Sequence, residues 1–150
     1  MILDNYTLMS DDQDLSQVAG TYYSDVLNLK GDAGYTTSVD APNGVTSDLG
    51  KGTPVELLVQ VTEDFVSGGA ATLTVSLEKD TVEAFSSAET VVSSTTFALA
   101  DLTAGTYLLP AHVPYDVDQQ WVRIKYVIAT ATTTAGTVTA GIVLGHQSNR

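Results

Sequence analysis

Trp121-Val-Arg-Ile-Lys-Tyr-Val-Ile128 places Val122, Ile124, Tyr126 and Ile128 at every second position, with Arg123 and Lys125 between them. Side chains of a β-strand point alternately to opposite faces, so this period of two describes a strand with one apolar and one polar row. Three more segments follow the same rule: Val55, Leu57, Val59, Val61; Leu73, Val75, Leu77; and Val138, Ala140, Ile142, Leu144. In the second of these, Thr72, Thr74 and Ser76 form the row expected to face water.

Turn chemistry falls between the periodic segments at the spacing of a sandwich or barrel of many short strands. Gly31-Asp32-Ala33-Gly34, Pro42-Asn43-Gly44, Gly50-Lys51-Gly52, Ser67-Gly68-Gly69, Gly105 and Gly136 supply the tight turns. Strands are therefore predicted near 18–29, 54–62, 71–79, 90–98, 106–113, 121–130 and 137–145, with an eighth in the first ten residues. The resulting fold class is an all-β, single-domain β-sandwich of about eight antiparallel strands. Ser10 to Leu15 reads as a helix start, with Ser10 as cap and Asp11 and Asp12 in the first turn. The stretch 31–52 is the longest without strand patterning and reads as a contact loop or a solvated excursion.

The 150 residues suit one domain spanning 1–150, and their 43% hydrophobic content suffices for a core. The net charge is −12, and the first fifty positions carry eight acids against Lys30 alone. Nucleic-acid binding needs clustered Lys and Arg, so no direct nucleic-acid partner is expected. Cysteine is absent, which removes disulfides, thiolate metal sites and thiol nucleophiles. The residues after Met1 lack the basic-then-apolar order of a leader, and no apolar run is long enough to span a bilayer. Synthesis in a cytoplasm, without a membrane partner, is the expectation.

Catalytic signatures are sparse. His112 and His146 stand apart, without the spacing of a metal pair. No GxSxG elbow, P-loop or GxGxxG turn occurs, and the acidic runs Asp11, Asp12, Asp14, then Glu63-Asp64, then Asp116 and Asp118 do not match a calcium loop. The expectation is a non-enzyme that needs no cofactor or metal. The concentration of positive charge is the row Trp121, Arg123, Lys125, which shares one strand face and could anchor an acidic partner surface. Pairing of these cations with cross-strand carboxylates is the plainer alternative. The apolar start, Ile2, Leu3 and Tyr6 with Leu8 and Met9, is a contact arm over 1–9 that docks on its own fold or on a neighbour.

Gly52-Thr-Pro-Val-Glu-Leu-Leu-Val-Gln-Val-Thr-Glu-Asp-Phe65, then Gly69-Ala-Ala-Thr-Leu-Thr-Val-Ser-Leu77 and Ala84-Phe-Ser-Ser87, resemble the capsid cement proteins of short-tailed double-stranded DNA phages. Leu102-Thr-Ala-Gly105, Trp121-Val-Arg-Ile-Lys-Tyr126 and Ala135-Gly-Thr-Val-Thr-Ala-Gly-Ile-Val143 continue the likeness in order over nearly the whole chain. The resemblance implies a jelly roll bound outside the mature shell. There it clamps major capsid protein subunits as a small homo-oligomer, a dimer in preference to a trimer. Exposed Arg123 and Lys125 are then contact residues whose joint reversal to Glu weakens shell binding and leaves the fold intact. A carbohydrate-binding module or adhesin is the alternative, with Trp121, Tyr22, Tyr23 or Tyr107 as stacking surfaces. Tyr22 and Tyr23 are adjacent, however, and face opposite ways in a strand.

Overall fold

The computed structural model describes residues 3–29, 55–114, 117 and 119–143, and only the backbone of residues 3–6. Within them the chain forms β1 (Leu3–Asp14), β2 (Gly20–Tyr23), β3 (Leu27–Asn28), β4 (Glu56–Ser67) and β5 (Thr72–Asp80). β6 (Glu89–Ser93), β7 (Phe97–Ala98), a short 3-10 turn (Leu99–Asp101), β8 (Trp121–Ala129) and β9 (Thr133–Val143) follow. The loop predicted at 31–52 lies outside the described residues, as does Ile2.

Two antiparallel sheets result. In the first, β9 lies between β1 and β4. Residues 102–113 complete it along the other edge of β4. Leu108 N–H donates to Val59 O, Val61 N–H to Thr106 O, Leu57 N–H to Ala111 O and Val113 N–H to Val55 O, each at 2.8–2.9 Å. This stretch was predicted as a regular strand over 106–113. It forms only isolated bridges, Tyr107 to Gln60 and His112 to Glu56, and Pro110 within it has no N–H to give a ladder. In the second sheet the order is β2, β8, β5, β6, with β3 continuing beside β8 and β7 beside β5.

Counting β2–β3 and β6–β7 as interrupted single strands and 102–113 as the sixth gives eight antiparallel segments ordered 1-8-3-6 and 2-7-4-5. That is the double Greek key of a jelly roll, and it accounts for the all-β sandwich read from the sequence.

The periodic rows form the core. Leu57, Val59, Val61, Val138 and Ala140 of one sheet face Leu73, Val75, Leu77, Val122, Ile124, Tyr126 and Ile128 of the other, all at most 2% exposed. Each large aliphatic buried this way stabilises the fold by about 1.5–3 kcal/mol. Tyr126 crosses this core. Its hydroxyl lies 2.9 Å from Ser10 Oγ on β1, joining the two sheets by a buried polar contact. Burial holds the pKa of the Tyr126 phenol well above its ordinary value, making it a weaker acid, and the Ser10 hydrogen bond only partly offsets this.

Ser10–Leu15 is not a helix start. Ser10 pairs with Ala140, Gln13 with Val138 and Asp14 with Thr137, while the Ser10 hydroxyl is spent on Tyr126 and Gln13 rather than on a cap. Asp12, at φ 44°, absorbs the bulge in this stretch. Gly136, at φ +134°, lies against Phe65, whose ring would be 2.5 Å from any added Cβ, so only glycine fits.

Candidate functional site

β8 is central in its sheet, so its outward row, Trp121, Arg123 and Lys125, is crossed on both sides. Trp121 stands opposite Asp80 and Asn28, Arg123 opposite Glu78, and Lys125 opposite Ser76 and Tyr23. The three share one face, as the alternation requires. They do not form a free cationic stripe. Arg123 Nε and Nη2 both donate to Glu78 Oε2, at 3.0 and 2.8 Å, and Lys125 Nζ donates to Oε1 at 2.9 Å.

The expectation that Arg123 and Lys125 are exposed is corrected here. Their side chains are 14% and 30% accessible and that of Glu78 only 5%, because one carboxylate bridges both cations and aromatic rings cover the guanidinium. Arg123 Cζ lies 3.6 Å from the Tyr23 ring centroid and 4.1 Å from that of Phe85. A cation held against aromatic faces and a carboxylate is partly desolvated, and each contact strengthens accordingly.

The loop after β5 places Phe85. Asp80, itself 1% exposed, accepts N–H bonds from Val82 at 3.1 Å and Ser87 at 2.8 Å, and a hydroxyl from Thr81 at 3.3 Å. Phe85 adopts φ 50° within this turn and folds back over the sheet. Burial alone would raise the Asp80 carboxyl, but the N–H donors of Ser87, Val82 and Thr81 with the Thr81 hydroxyl outweigh it and hold it below its ordinary 3.8. Ser76, expected on the wet face, is likewise buried and bonds Ser93 Oγ at 3.0 Å.

The amino-terminal candidates belong to the other sheet. Leu3 pairs with Val143, and Tyr6 lies in β1 with its side chain outside the described residues. Sequence reasoning did not single out Glu78, Asp80 or Phe85. For Glu78 the signal was present, since it continues the polar row Thr72, Thr74, Ser76 of a strand that could lie beside β8. Phe85 had no such signal, because a left-handed turn follows no period.

Of the aromatic rings considered for stacking, Tyr22 turns inward and packs against the core, while Tyr23 is 43% exposed and stacks on Arg123. Beside Tyr23 a cleft of about 320 Å³ is lined by Met9, Ser10, Asp11, Gln13 and Asp25. No group of three or more potential metal ligands converges among the described residues.

The family model of Bbp16 matches residues 24–142, which run from the end of β2 almost to the end of β9. The chain belongs to the Bbp16 family. The family name points to a phage-related protein, and the match takes in β8, Glu78 and the Phe85 loop. No curated protein matches this Bbp16-family chain.

Proposed function

We propose that this chain is a capsid cement protein. It binds the outer surface of the mature phage shell and clamps neighbouring major capsid protein subunits against the pressure of packaged DNA. The observation that carries the reading is the order of cement-like segments from Gly52 to Val143, together with Bbp16-family membership over 24–142. Synthesis takes place in the host cytoplasm and the working location is the virion exterior.

The mechanism is thermodynamic. A clamp that binds only the expanded shell stabilises that state by mass action, increasingly as its free concentration exceeds its Kd, and many symmetric copies make modest contacts strong together. The jelly roll supports this role as a stiff spacer, with two sheets pinned by Tyr126–Ser10 and an outer face locked by Glu78. A net charge of −12 keeps decorated particles apart in solution. Against the sugar-binding alternative, the Tyr22 and Tyr23 rings lie on opposite faces and one side of Tyr23 is already taken by Arg123.

The test is cosedimentation with expanded, cement-free capsids and with unexpanded procapsids across a salt series. The reading expects binding to expanded shells alone. Failure to bind either particle, with a glycan-dependent change in Trp121 fluorescence, would transfer the function to the carbohydrate-binding class.

A further inference from the structure

β1 and the turn between β2 and β3 carry four acids, Asp11, Asp12, Asp14 and Asp25. Two of them are spent locally. Asp12 Oδ1 accepts from the Thr139 hydroxyl at 3.1 Å, and Asp14 Oδ1 accepts from the N–H and hydroxyl of Ser16. Asp11 and Asp25 have no side-chain hydrogen bond or ion pair among the described residues, and both line the cleft of about 320 Å³ beside Tyr23.

The rest of that cleft is braced. Met9 and Ser10 line it and are themselves buried. Ser10 Oγ donates to Gln13 Oε1 at 2.7 Å and lies 2.9 Å from the Tyr126 hydroxyl, while Gln13 Nε2 donates to Tyr23 O at 2.9 Å. Asp25 N–H donates to Met9 O at 2.8 Å, which ties the turn carrying one acid to the strand carrying the other. The cleft therefore joins the two sheets with its walls cross-linked, and a ligand that enters has little to order.

Charge decides what enters. Two carboxylates lining one cleft repel each other, and they lose water as it fills, so a cation relieves the arrangement where an anion or an apolar group worsens it. A neutral polyol would satisfy the oxygens and leave the repulsion unanswered. The cleft is lined by no cation of the described chain, since the neighbouring Arg123 and Lys125 are spent on Glu78. A guanidinium suits it best: its planar fork of N–H donors can serve both carboxylates, and its apolar stem has Met9 and Tyr23 to pack on.

We propose that this cleft is a socket for an arginine side chain of a partner protein. The partner's identity rests on the cement reading, under which the arginine projects from the outer surface of the major capsid protein. On a chain of net charge −12, the socket turns diffuse attraction into one fixed contact that sets the register of the clamp.

The first arm of the test needs no capsid. Backbone amide NMR of the full chain is followed as Nα-acetyl-arginine amide is added, beside its neutral isostere Nα-acetyl-citrulline amide. Saturable shifts confined to residues 9–13 and 23–25 are expected with arginine and none with citrulline, with affinity about tenfold lower in Asp11→Asn/Asp25→Asn. Glu63→Gln/Asp101→Asn removes two exposed charges outside the cleft and should bind as wild type does. Shifts that do not saturate, an equal response to citrulline, or an equal loss in the two double variants overturns the proposal. The second arm is cosedimentation with expanded, cement-free capsids, where the cleft variant should bind more weakly than the charge control and with a shallower salt dependence. Equal binding by the two variants overturns the assignment of the arginine to the capsid protein. A wild type that takes up the arginine probe and binds no capsid overturns the cement reading and upholds the socket.

Discussion

β8 handles polar groups in two ways on its two faces. Inward, Tyr126 places one neutral hydroxyl in a dry core and spends it on Ser10 of the opposite sheet. Outward, Arg123 and Lys125 place two full charges on the sheet surface and spend both on Glu78. The inner contact costs little if lost, because a phenol without its hydroxyl is simply a phenyl ring. The outer one is held by charges that have given up most of their water, so removing one member strands the others.

The largest effect therefore belongs to Arg123→Glu with Lys125→Glu. Three carboxylates would crowd where one now bridges two cations, beneath Tyr23 and Phe85. Unfolding in urea should show a loss of about 3 kcal/mol, the low end for breaking a buried pair because Lys125 keeps some solvent. A midpoint unchanged from wild type would restore the view of these residues as a freely exposed row. Glu78→Gln should cost somewhat less, about 2 kcal/mol, since an amide oxygen still accepts but two cations then face each other. Adding salt should recover little of that loss if the cluster is as desolvated as its geometry implies.

The alternation in β8 made its two faces legible in the sequence, and the core rows of β4, β5 and β9 were legible in the same way. The bounds of β5 fell within one residue, but β4 continues to Ser67, past the expected 62, and β9 starts at Thr133, before the expected 137. What alternation cannot carry is pairing. Arg123 and Lys125 looked like a stripe because Glu78, 45 and 47 residues away, reaches them only through a sheet order that no local pattern encodes. Ser10–Asp14 looked like a helix cap because serine followed by acids serves equally at a bulge, and the ladder to β9 decided between them. Phe85 was hidden for a different reason: a positive φ in a non-glycine residue is imposed by the Asp80 hydrogen bonds, not by its own propensity.

On the inner face, Tyr126→Phe should lower stability by about 1 kcal/mol, because Ser10 retains its 2.7 Å bond to Gln13 Oε1. Thermal unfolding should then fall by about 2–4 °C for a chain of this size. A drop comparable to that of Glu78→Gln would mean the two faces are not different in kind, and the contrast drawn here would fail.

The smallest effect is acid-dependent and concerns how Phe85 is kept over Arg123. The folded Asp80 carboxyl is held below its ordinary value by the Ser87, Val82 and Thr81 donors. A depressed carboxylate contributes stability that is present above its unfolded value of 3.8 and is lost as pH falls through the folded one. Asp14, lowered by the Ser16 hydroxyl and N–H, acts in the same direction. Asp80→Asn should therefore unfold below wild type at neutral pH, because its amide NH₂ confronts one of the donors. The gap should close as the pH is taken beneath the carboxylate range. A gap of constant size would show that the turn depends on the shape of residue 80 and not on its charge. In that case Phe85 would cap Arg123 by packing alone, and the outer network would be no more sensitive to acid than the inner one.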